Sequence, residues 1–242
     1  MITHSNISGA YAFVGGTQHV ADLLVNEIRS NGGEVLLKSK VLSINLKDND
    51  VESIELASGE RLCAKWVISS LHPAITFSLL KNNTIYKKAF FTRINSLQNT
   101  YGIFTTYLLL KPNTIKYVNR NHYFFGENTA WDMNGVYNGR FDKVPTLLCM
   151  QSNTDDEYCN VITLLTPMAF SQCKRWVNTN VEHRGEDYKE FKAKFSEAVI
   201  NFVCGYMPEL RSCIDKVYTA SPLTYRDYTA VPEGSAYGII KD

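Results

Sequence analysis

The chain has 242 residues, with 25 basic and 24 acidic side chains and a formal net charge of +1. A chain of this length can bury a hydrophobic core without disulfides or metal, and hydrophobic residues make up 45% of it. Because the charges balance, there is no long-range field to attract a polyanion, which argues against nucleic acid as a partner.

The first 70 residues predict one helix followed by a β-meander. Apolar residues recur at three- and four-residue spacing over residues 17–31, which is typical of an amphipathic helix. Thr17 is the expected cap of its first turn, and Gly32-Gly33 are expected to end it by permitting positive φ. Four short strands are predicted after the helix, at residues 34–38, 41–46, 51–56 and 61–70.

The rest of the chain alternates between strands and helices. Helices are predicted over residues 73–80 and 187–203, and a short one near Pro208. Strands are predicted at 101–110, 121–125, 146–151, 160–166 and 214–219, the third and fourth of them forming a hairpin. Residues 221–242 have a loop-like composition. These elements predict a mixed α/β (α+β) fold whose second-half sheet is mixed and mostly antiparallel, with flanking helices.

No catalytic constellation and no metal site can be assembled from the sequence. It contains no GxGxxG, no GxxxxGK[ST], no HExxH and no GxSxG. His72 directly follows a predicted strand, at the kind of strand end where ligands gather, although a satisfied loop histidine is the simpler interpretation. The acidic stretch Asp155-Asp156-Glu157 is interpreted as the solvated tip of a hairpin.

Six cysteines are present, none at the spacing of a zinc site. They are interpreted as reduced thiols that pack as small hydrophobic residues. The N-terminal residues do not have the pattern of a signal peptide, and no apolar run is long enough to span a bilayer. The expected location is the cytoplasm, with peripheral contact at a membrane left open.

The helix and meander, taken together, resemble a block found in phytoene desaturases, carotenoid isomerases and retinol saturases. The residues that carry the resemblance are Gly15-Gly16, Gly32-Gly33-Glu34, Val41, Ile44, Gly59 and Ala64 to Ser70. In that family the block is the second part of the flavin-binding domain. A second stretch is similar to one near the family's last flavin-contacting segment. Its matching residues are Ser221, Pro222, Thr224, Pro232, Gly234, Tyr237 and Gly238.

This resemblance implies a division of the chain and a set of site residues. Residues 1–72 would be part of a domain that binds FAD, residues 73–220 a substrate-binding domain, and residues 221–242 a return segment. The residues implied at the cofactor are Val41, Ser69, Ser70, Leu71, Gly15 and Gly16, with Val41 meeting the adenine through its backbone. The residues implied on the substrate side are Tyr225, Tyr228 and Tyr237, although packing in a loop explains these tyrosines equally well.

The implied activity is desaturation or saturation of a carbon–carbon bond in an apolar isoprenoid, a carotenoid or retinoid-like molecule. FAD would carry the hydride, with NAD(P) as a second cofactor left open. Because the strand–GxGxxG–helix that binds the pyrophosphate is absent, little flavin affinity and no activity are expected of the isolated chain. A missing N-terminal flavin-binding segment is the expected partner. The alternative is a non-catalytic module, derived from that family, that binds an apolar ligand or a protein.

Overall fold

The computed structural model describes residues 13, 16–48, 50–126, 136, 145–152 and 157–241. The backbone divides into two compact units. The first comprises Met1–Ile68 and Leu79–Ile85, and the second comprises Ser69–Ser78 and Tyr86–Asp242. The limits expected from the sequence, 1–72, 73–220 and 221–242, stay a prediction about functional domains.

In its described residues the first unit has one helix and a four-stranded sheet. Its elements are α1 (Thr17–Ser30), β1 (Val41–Lys47), β2 (Asp50–Leu56), β3 (Arg61–Leu62) and β4 (Leu80–Lys81). The strand order is β3-β2-β1-β4, in which β1, β2 and β3 are antiparallel neighbours and β4 runs parallel to β1. The predicted helix and the central hairpin of the predicted meander are confirmed.

The hairpin of β1 and β2 buries polar as well as apolar side chains. Ser43 and Asn45 are buried together with Ile44 and Leu46 of β1. The Ser43 hydroxyl donates to the Glu55 carboxylate at 3.1 Å, and the Asn45 amide donates to the Ser53 hydroxyl at 3.2 Å. These bonds keep the buried polar groups satisfied, so the hairpin can bury both of its faces.

Helix α1 follows Gly16, whose φ is 80°, and no side chain caps its first turn. The prediction that Thr17 caps the helix is wrong, because Thr17 is already the first helical residue. Gly32 adopts the predicted positive φ, at 79°, whereas Gly33 does not. No residue of α1 is buried. Its apolar side chains are exposed at Leu23, Leu24 and Ile28.

Two strands predicted in the first 70 residues are absent or shortened. Residues 33–36 are irregular and are followed by a turn, with Lys38 at a φ of 57°. The strand predicted over residues 61–70 is limited to β3. A strand needs a neighbour for its N–H and C=O groups, and no described strand lies beside residues 34–38 or 63–70. The apolar side chains of these stretches are exposed, by 77% for Leu37, 79% for Trp66 and 97% for Ile68.

The second unit is built on a five-stranded sheet in the order β6-β7-β8-β5-β9, with antiparallel neighbours throughout. The strands are β5 (Gly102–Leu110), β6 (Asn121–Phe124), β7 (Thr146–Gln151), β8 (Val161–Met168) and β9 (Ile214–Ala220). Its described helices are α2 (Pro73–Ser78), α3 (Lys88–Asn95), α4 (Glu186–Cys204), α5 (Leu210–Cys213) and α6 (Pro222–Thr229). The described residues also form 3-10 helices at Phe170–Trp176 and Pro232–Gly234. The α+β fold, with a mostly antiparallel sheet in the second half, is confirmed.

Helix α4 packs across one face of this sheet. Phe104 and Leu108 of β5 are completely buried in the core that also contains Phe195, Val199 and Val203 of α4. The rings of Phe104 and Phe195 have their centroids 4.4 Å apart. Burial of each large apolar side chain stabilises the fold by about 1.5–3 kcal/mol, so this layer carries much of the second unit's stability.

The segment after β9 is more ordered than its composition predicts. Residues 222–229 form α6, so the prediction of a loop through this region is wrong. The Ser221 hydroxyl accepts from the Leu223 N–H, and the Thr224 hydroxyl accepts from the Ser221 N–H, both at 3.2 Å. This reciprocal capping, with Pro222 at the first helical position, stabilises a helix start that composition alone does not indicate.

Gly15 and the acidic residues Asp155 and Asp156 lie outside the described residues. The strands on either side of that acidic stretch, β7 and β8, pair antiparallel as predicted. No helix in the described part of the chain is long and apolar enough to cross a membrane.

Candidate functional site

A cavity of about 420 Å³ lies against the sheet face that is turned away from α4. Side chains alternate along a strand, so Ile103 points away from α4 because its neighbour Phe104 points toward it. The lining side chains come from β5, β8, α6 and the segment after α6. They include Ile103, Leu165, Tyr225, Thr229, Val231 and Tyr237. None of the lining residues is charged, so the cavity suits an apolar molecule.

A group of hydroxyls lies at the sheet side of this cavity. The Tyr225 hydroxyl and the Thr105 hydroxyl are 2.5 Å apart, which joins α6 to the centre of β5. Burial raises the pKa of the nearby Tyr107 phenol, and the neighbouring Tyr225 adds to that effect. Tyr107 is therefore a neutral phenol at physiological pH, and this part of the wall offers hydroxyl hydrogen bonds without charge.

The wall opposite the sheet depends on two glycines that let backbones approach closely. Gly234 has a φ of 57°, and a Cβ placed there would lie 1.9 Å from the Pro222 carbonyl oxygen. A Cβ at Gly102 would lie 2.7 Å from the Pro222 ring and 3.0 Å from the Gly234 carbonyl oxygen. Only glycine fits these contacts, so α6 and the turn after it are held tightly on the start of β5.

The last described residues run antiparallel to the segment that enters β5. The Thr100 N–H donates to the Gly238 carbonyl at 2.8 Å, and the Ala236 N–H donates to the Tyr101 carbonyl at 2.9 Å. The rings of Tyr101 and Tyr237 meet edge to face with centroids 6.2 Å apart. This pairing fixes the path of the backbone that forms the cavity rim.

His72 lies in a hydrogen-bonded chain behind the rim and does not line the cavity. Its Nδ1 accepts from the Ala74 N–H at 3.2 Å, so the proton belongs on Nε2, which lies 3.0 Å from the Asn99 side-chain oxygen. The Asn99 amide in turn donates to the Glu233 carboxylate at 3.3 Å. The interpretation of His72 as a satisfied loop residue fits this geometry, and its structural effect is to steady the turn at Gly234.

The three tyrosines expected on the substrate side lie in two different cavities, one on each side of α6. Tyr225 and Tyr237 line the cavity described above. Tyr228 instead lines a second cavity, together with Tyr188 and Thr224. On one helix face Tyr225 is followed four residues later by Thr229, and residues so spaced lie side by side. A substrate role for the tyrosines stays a prediction, and the structure brings only two of them to one cavity.

The residues expected at the cofactor are distributed over both units. Gly16 and Val41 belong to the first unit, and Ser69, Ser70 and Leu71 begin the second. Val41 is the first residue of β1, and β4 pairs with β1 only at Ile44 and Asn45. The Ser69 hydroxyl lies 2.7 Å from the Thr76 hydroxyl and accepts from the Leu71 N–H at 3.3 Å. Cofactor contact by all of these residues stays a prediction, and Gly15 lies outside the described residues.

The sequence pattern does not indicate the site residues that the sheet and the close glycine contacts contribute. Ile103, Thr105 and Leu165 occur in apolar runs that predict strands but do not indicate which side faces a ligand. The one available signal was Thr105, a hydroxyl residue in the middle of an apolar strand. A polar residue that is kept at such a position usually has a partner, here Tyr225.

Three of the six cysteines are buried, as expected of thiols that pack as small hydrophobic residues. Cys159, Cys173 and Cys213 are buried, and all six thiols are free. Burial raises the pKa of the Cys173 thiol to about 11, which makes this thiol unreactive at neutral pH. No group of three or more potential metal ligands occurs within the described ranges.

Comparison with curated proteins finds relatives over nearly the whole chain, although no protein-family model matches. The all-trans-retinol 13,14-reductase of Rattus norvegicus is 24% identical over 98% of this chain and 42% of its own length. The prolycopene isomerase of Daucus carota is 24% identical over 94% of this chain and 37% of its own length. Over a shorter stretch, 34% of this chain and 14% of the relative, identity to the human all-trans-retinol 13,14-reductase is 34%. The chain thus spans less than half the length of these relatives.

Solved structures share the fold. An oxidoreductase from Methanosarcina mazei superposes with a TM-score of 0.52 at 16% identity, covering 85% of this chain and 42% of that one. A protein from Pyrococcus furiosus superposes with a TM-score of 0.51 at 17% identity, over 85% of this chain and 43% of its own. The similarity to both the reductase and the isomerase extends over both structural units. The resemblance of the chain to retinol saturases and carotenoid isomerases is therefore confirmed, at low identity.

Proposed function

We propose that this chain is the substrate-side part of a flavin-dependent oxidoreductase that adds or removes hydrogen across a carbon–carbon bond of an apolar isoprenoid. The observation that carries the proposal is the uncharged cavity of about 420 Å³ whose wall includes Tyr225 and Tyr237. Both tyrosines lie in the segment that resembles the family near its flavin. Relatives over nearly the full chain include a retinol reductase and a carotenoid isomerase, which supports an isoprenoid substrate.

The cavity's size and lining fit this substrate class. Ligand sites for small molecules occupy about 300–1,000 Å³ and bury most of the ligand among apolar side chains. Ile103, Leu165 and Val231 provide the apolar surface, while the ring of Tyr225 is held in place by Thr105. In this proposal the chain's residues orient the substrate and exclude water, and no side chain of the cavity needs to transfer a proton.

The first unit fits one part of a flavin site. Flavin supplies the hydride chemistry when it is bound. On the side of β1 that faces β4, no described strand pairs with Val41, since β4 begins its pairing at Ile44. A nucleotide ring that bonds to backbone N–H and C=O groups could therefore lie along this edge. The pyrophosphate, in contrast, requires a glycine-rich turn and a helix start, and the sequence contains no GxGxxG.

A flavin-binding segment that supplies this turn is the partner we propose for the first unit. The exposed apolar side chains of α1 and of residues 34–38 and 63–70 support it, notably Leu24, Leu37, Trp66 and Ile68. Residues 34–38 and 63–70 have strand-like sequences but no described neighbour, so an added strand would satisfy their backbone. NAD(P) as the source or acceptor of the hydride is part of the same proposal, with no residue assigned to it.

The alternative is a non-catalytic module that binds an apolar ligand or a protein. The same exposed apolar surface favours it, because surfaces of this kind mark interaction sites. The two functions differ in what completes the chain: the oxidoreductase requires a glycine-rich segment and flavin, and the module requires neither.

Co-expression tests the oxidoreductase. The full chain is produced together with the part of the rat relative that this chain does not cover, and the purified complex is examined for flavin absorbance and for reduction of all-trans-retinol. A yellow complex is expected. A well-folded, colourless complex would count against the proposal and favour the non-catalytic module.

The cavity itself is tested with all-trans-retinol and the chain alone, followed by tryptophan fluorescence. Leu165→Trp fills the cavity and is expected to weaken retinol binding by about tenfold or more. Leu109→Trp is the matched control, because Leu109 points to the same side of the sheet but does not line the cavity. Equal binding by both variants would show that the ligand binds elsewhere.

A further inference from the structure

A second cavity, of about 260 Å³, lies on the other side of α6. Its walls come from the start of α4, the end of β9, α6 and the loop before α4. Its lining includes Arg184, Tyr188, Lys192, Thr219, Thr224 and Tyr228. All of them belong to the second unit, and the cavity is separate from the one proposed to hold the isoprenoid.

The loop that forms one wall is held in place by Arg184, which is 7% exposed. Its guanidinium donates to the Trp176 carbonyl at 3.1 Å and to the Thr179 carbonyl at 3.0 Å, and it pairs with the Asp227 carboxylate on α6. A buried arginine that donates to two backbone carbonyls, the Thr179 hydroxyl and one carboxylate fixes the geometry of the loop around it. The cavity wall is therefore preorganised, with a guanidinium immediately behind it.

Lys192 places an ammonium group in this cavity without a carboxylate partner among the described residues. The neighbouring Lys189 pairs with Glu186 at 2.6 Å, whereas no ion pair involves Lys192. Its Nζ lies 5.2 Å from the centre of the Tyr188 ring, and the Arg184 guanidinium lies 5.4 Å from the same ring. Burial lowers the pKa of Lys192, and repulsion by Arg184 lowers it further. An anion beside this ammonium would relieve both effects.

Hydroxyl groups complete the lining. The Thr224 hydroxyl already accepts from the Ser221 N–H at 3.2 Å, which leaves its own hydrogen to donate. The Thr219 and Tyr228 hydroxyls have no hydrogen bond to any described residue. Three hydroxyl donors and two ammonium groups, that of Lys192 and that of Lys189 already paired with Glu186, thus line one small cavity. The lining carboxylate is that of Glu182, which is exposed to solvent. A cavity rich in donors favours a ligand rich in acceptors.

We propose that this second cavity binds the oxyanion group, a phosphate or carboxylate, of a small organic ligand, with Lys192 as its counter-ion and Thr219, Thr224 and Tyr228 as hydrogen-bond donors. The ligand is distinct from the apolar molecule of the first cavity. Because Thr224 and Tyr228 lie on one side of α6 and Tyr225 and Thr229 on the other, the bound oxyanion contacts the same helix that lines the first cavity.

Calorimetric titration of the full chain tests this site, with phenyl phosphate, benzoate and phenol as probes. The two anions are expected to bind at one site per chain, and uncharged phenol at least about tenfold more weakly. Stronger binding of phenyl phosphate identifies a phosphate ligand, and stronger binding of benzoate identifies a carboxylate. Failure of both anions to bind more tightly than phenol would overturn the proposal.

Charge-removing variants locate the binding. Lys192→Gln is expected to weaken binding of the preferred anion by about tenfold or more. Lys194→Gln is the matched control, since Lys194 is on the same helix and is exposed; it should leave binding within about twofold. Both variants should melt like the unsubstituted chain, because neither lysine is in an ion pair. Equal weakening by the two variants, or none, would place the anion elsewhere.

Discussion

The two units of this chain differ in how completely they bury their own apolar residues. In the second unit α4 covers one face of the sheet, and Phe104, Leu108 and Phe195 are inaccessible to solvent. In the first unit no residue of α1 is buried, and Trp66 and Ile68 are almost fully exposed. The difference indicates that the second unit is stabilised by its own core, while the first leaves much of its apolar surface exposed.

The largest expected contrast is in amide hydrogen exchange. Amides of α4 should exchange only through global opening, because that helix lies on the main core, whereas amides of α1 should exchange through local fraying. A difference of about a thousandfold or more in protection is expected, measured by exchange mass spectrometry on the full chain. Comparable protection of the two helices would contradict this difference between the units. Added protection of α1 on co-expression with the proposed flavin-binding segment would show that the segment covers the helix.

Gly234→Ala is expected to be the most damaging single substitution in the second unit. The added Cβ would meet the Pro222 carbonyl oxygen at 1.9 Å in a backbone with φ of 57°, so the turn must move; the expected cost is about 3–5 kcal/mol. Gly238→Ala is the control, because Gly238 also has positive φ but nothing lies within 4 Å of its added Cβ. It should cost about 1–2 kcal/mol. Urea unfolding measures both free energies. Equal losses would contradict the close contact between Gly234 and Pro222 in the cavity wall.

Truncation of an apolar side chain should lower the free energy of unfolding far more in the second unit than in the first. Leu108→Ala creates a void in the main core and is expected to cost about 2–5 kcal/mol. Ile68→Ser removes an apolar side chain that is 97% exposed, and it should change the free energy of unfolding by less than about 0.5 kcal/mol. Urea unfolding checks both values. A large loss for Ile68→Ser would mean that Ile68 is covered in the isolated chain.

Tyr225→Phe tests the hydrogen bond that links α6 to β5. Removing the phenol hydroxyl leaves the buried Thr105 hydroxyl without its partner, at an expected cost of about 1–2 kcal/mol. Tyr237 lines the same cavity, but its hydroxyl has no hydrogen bond to any described residue. Tyr237→Phe should therefore lower the free energy of unfolding by less than about 0.5 kcal/mol. The measurement is thermal unfolding of both variants, and similar losses would mean that the hydroxyl bond adds nothing.

The smallest expected effect is the response of the second cavity to pH. Only the protonated form of Lys192 attracts an anion, and burial lowers its pKa below the ordinary lysine value. Affinity for the preferred anion should therefore be full at neutral pH and should fall as pH rises through that lowered pKa. Between the folded and unfolded pKa values the unfolded chain binds more protons, so the Lys192 contribution to stability rises with pH. Titrations across this alkaline range test the response, and an affinity independent of pH would contradict it.

Local patterns predicted most of the regular structure. The helical spacing of apolar residues located α1 and α4, and alternating or β-branched runs located β1, β2 and the strands of the large sheet. These patterns predicted strands wrongly where a strand also needs a hydrogen-bonded neighbour. Residues 34–38 and 63–70 have strand-like sequences but no described neighbour, so their amide groups have no ladder to join. Prediction also failed at α6, where composition suggested a loop but the Ser221 cap and Pro222 begin a helix.

The sequence by itself determined the order of the elements, the two segments that resemble the flavoenzyme family, and the glycine, proline and tyrosine residues within them. These follow from short-range steric and periodic rules that act within a few residues. Only the tertiary structure decided that Tyr225 and Tyr228 lie on opposite sides of α6, that Thr105 meets Tyr225, and that Lys192 has no ion-pair partner among the described residues. Such contacts join residues far apart in sequence, and they depend on how whole elements pack, which short-range patterns do not specify.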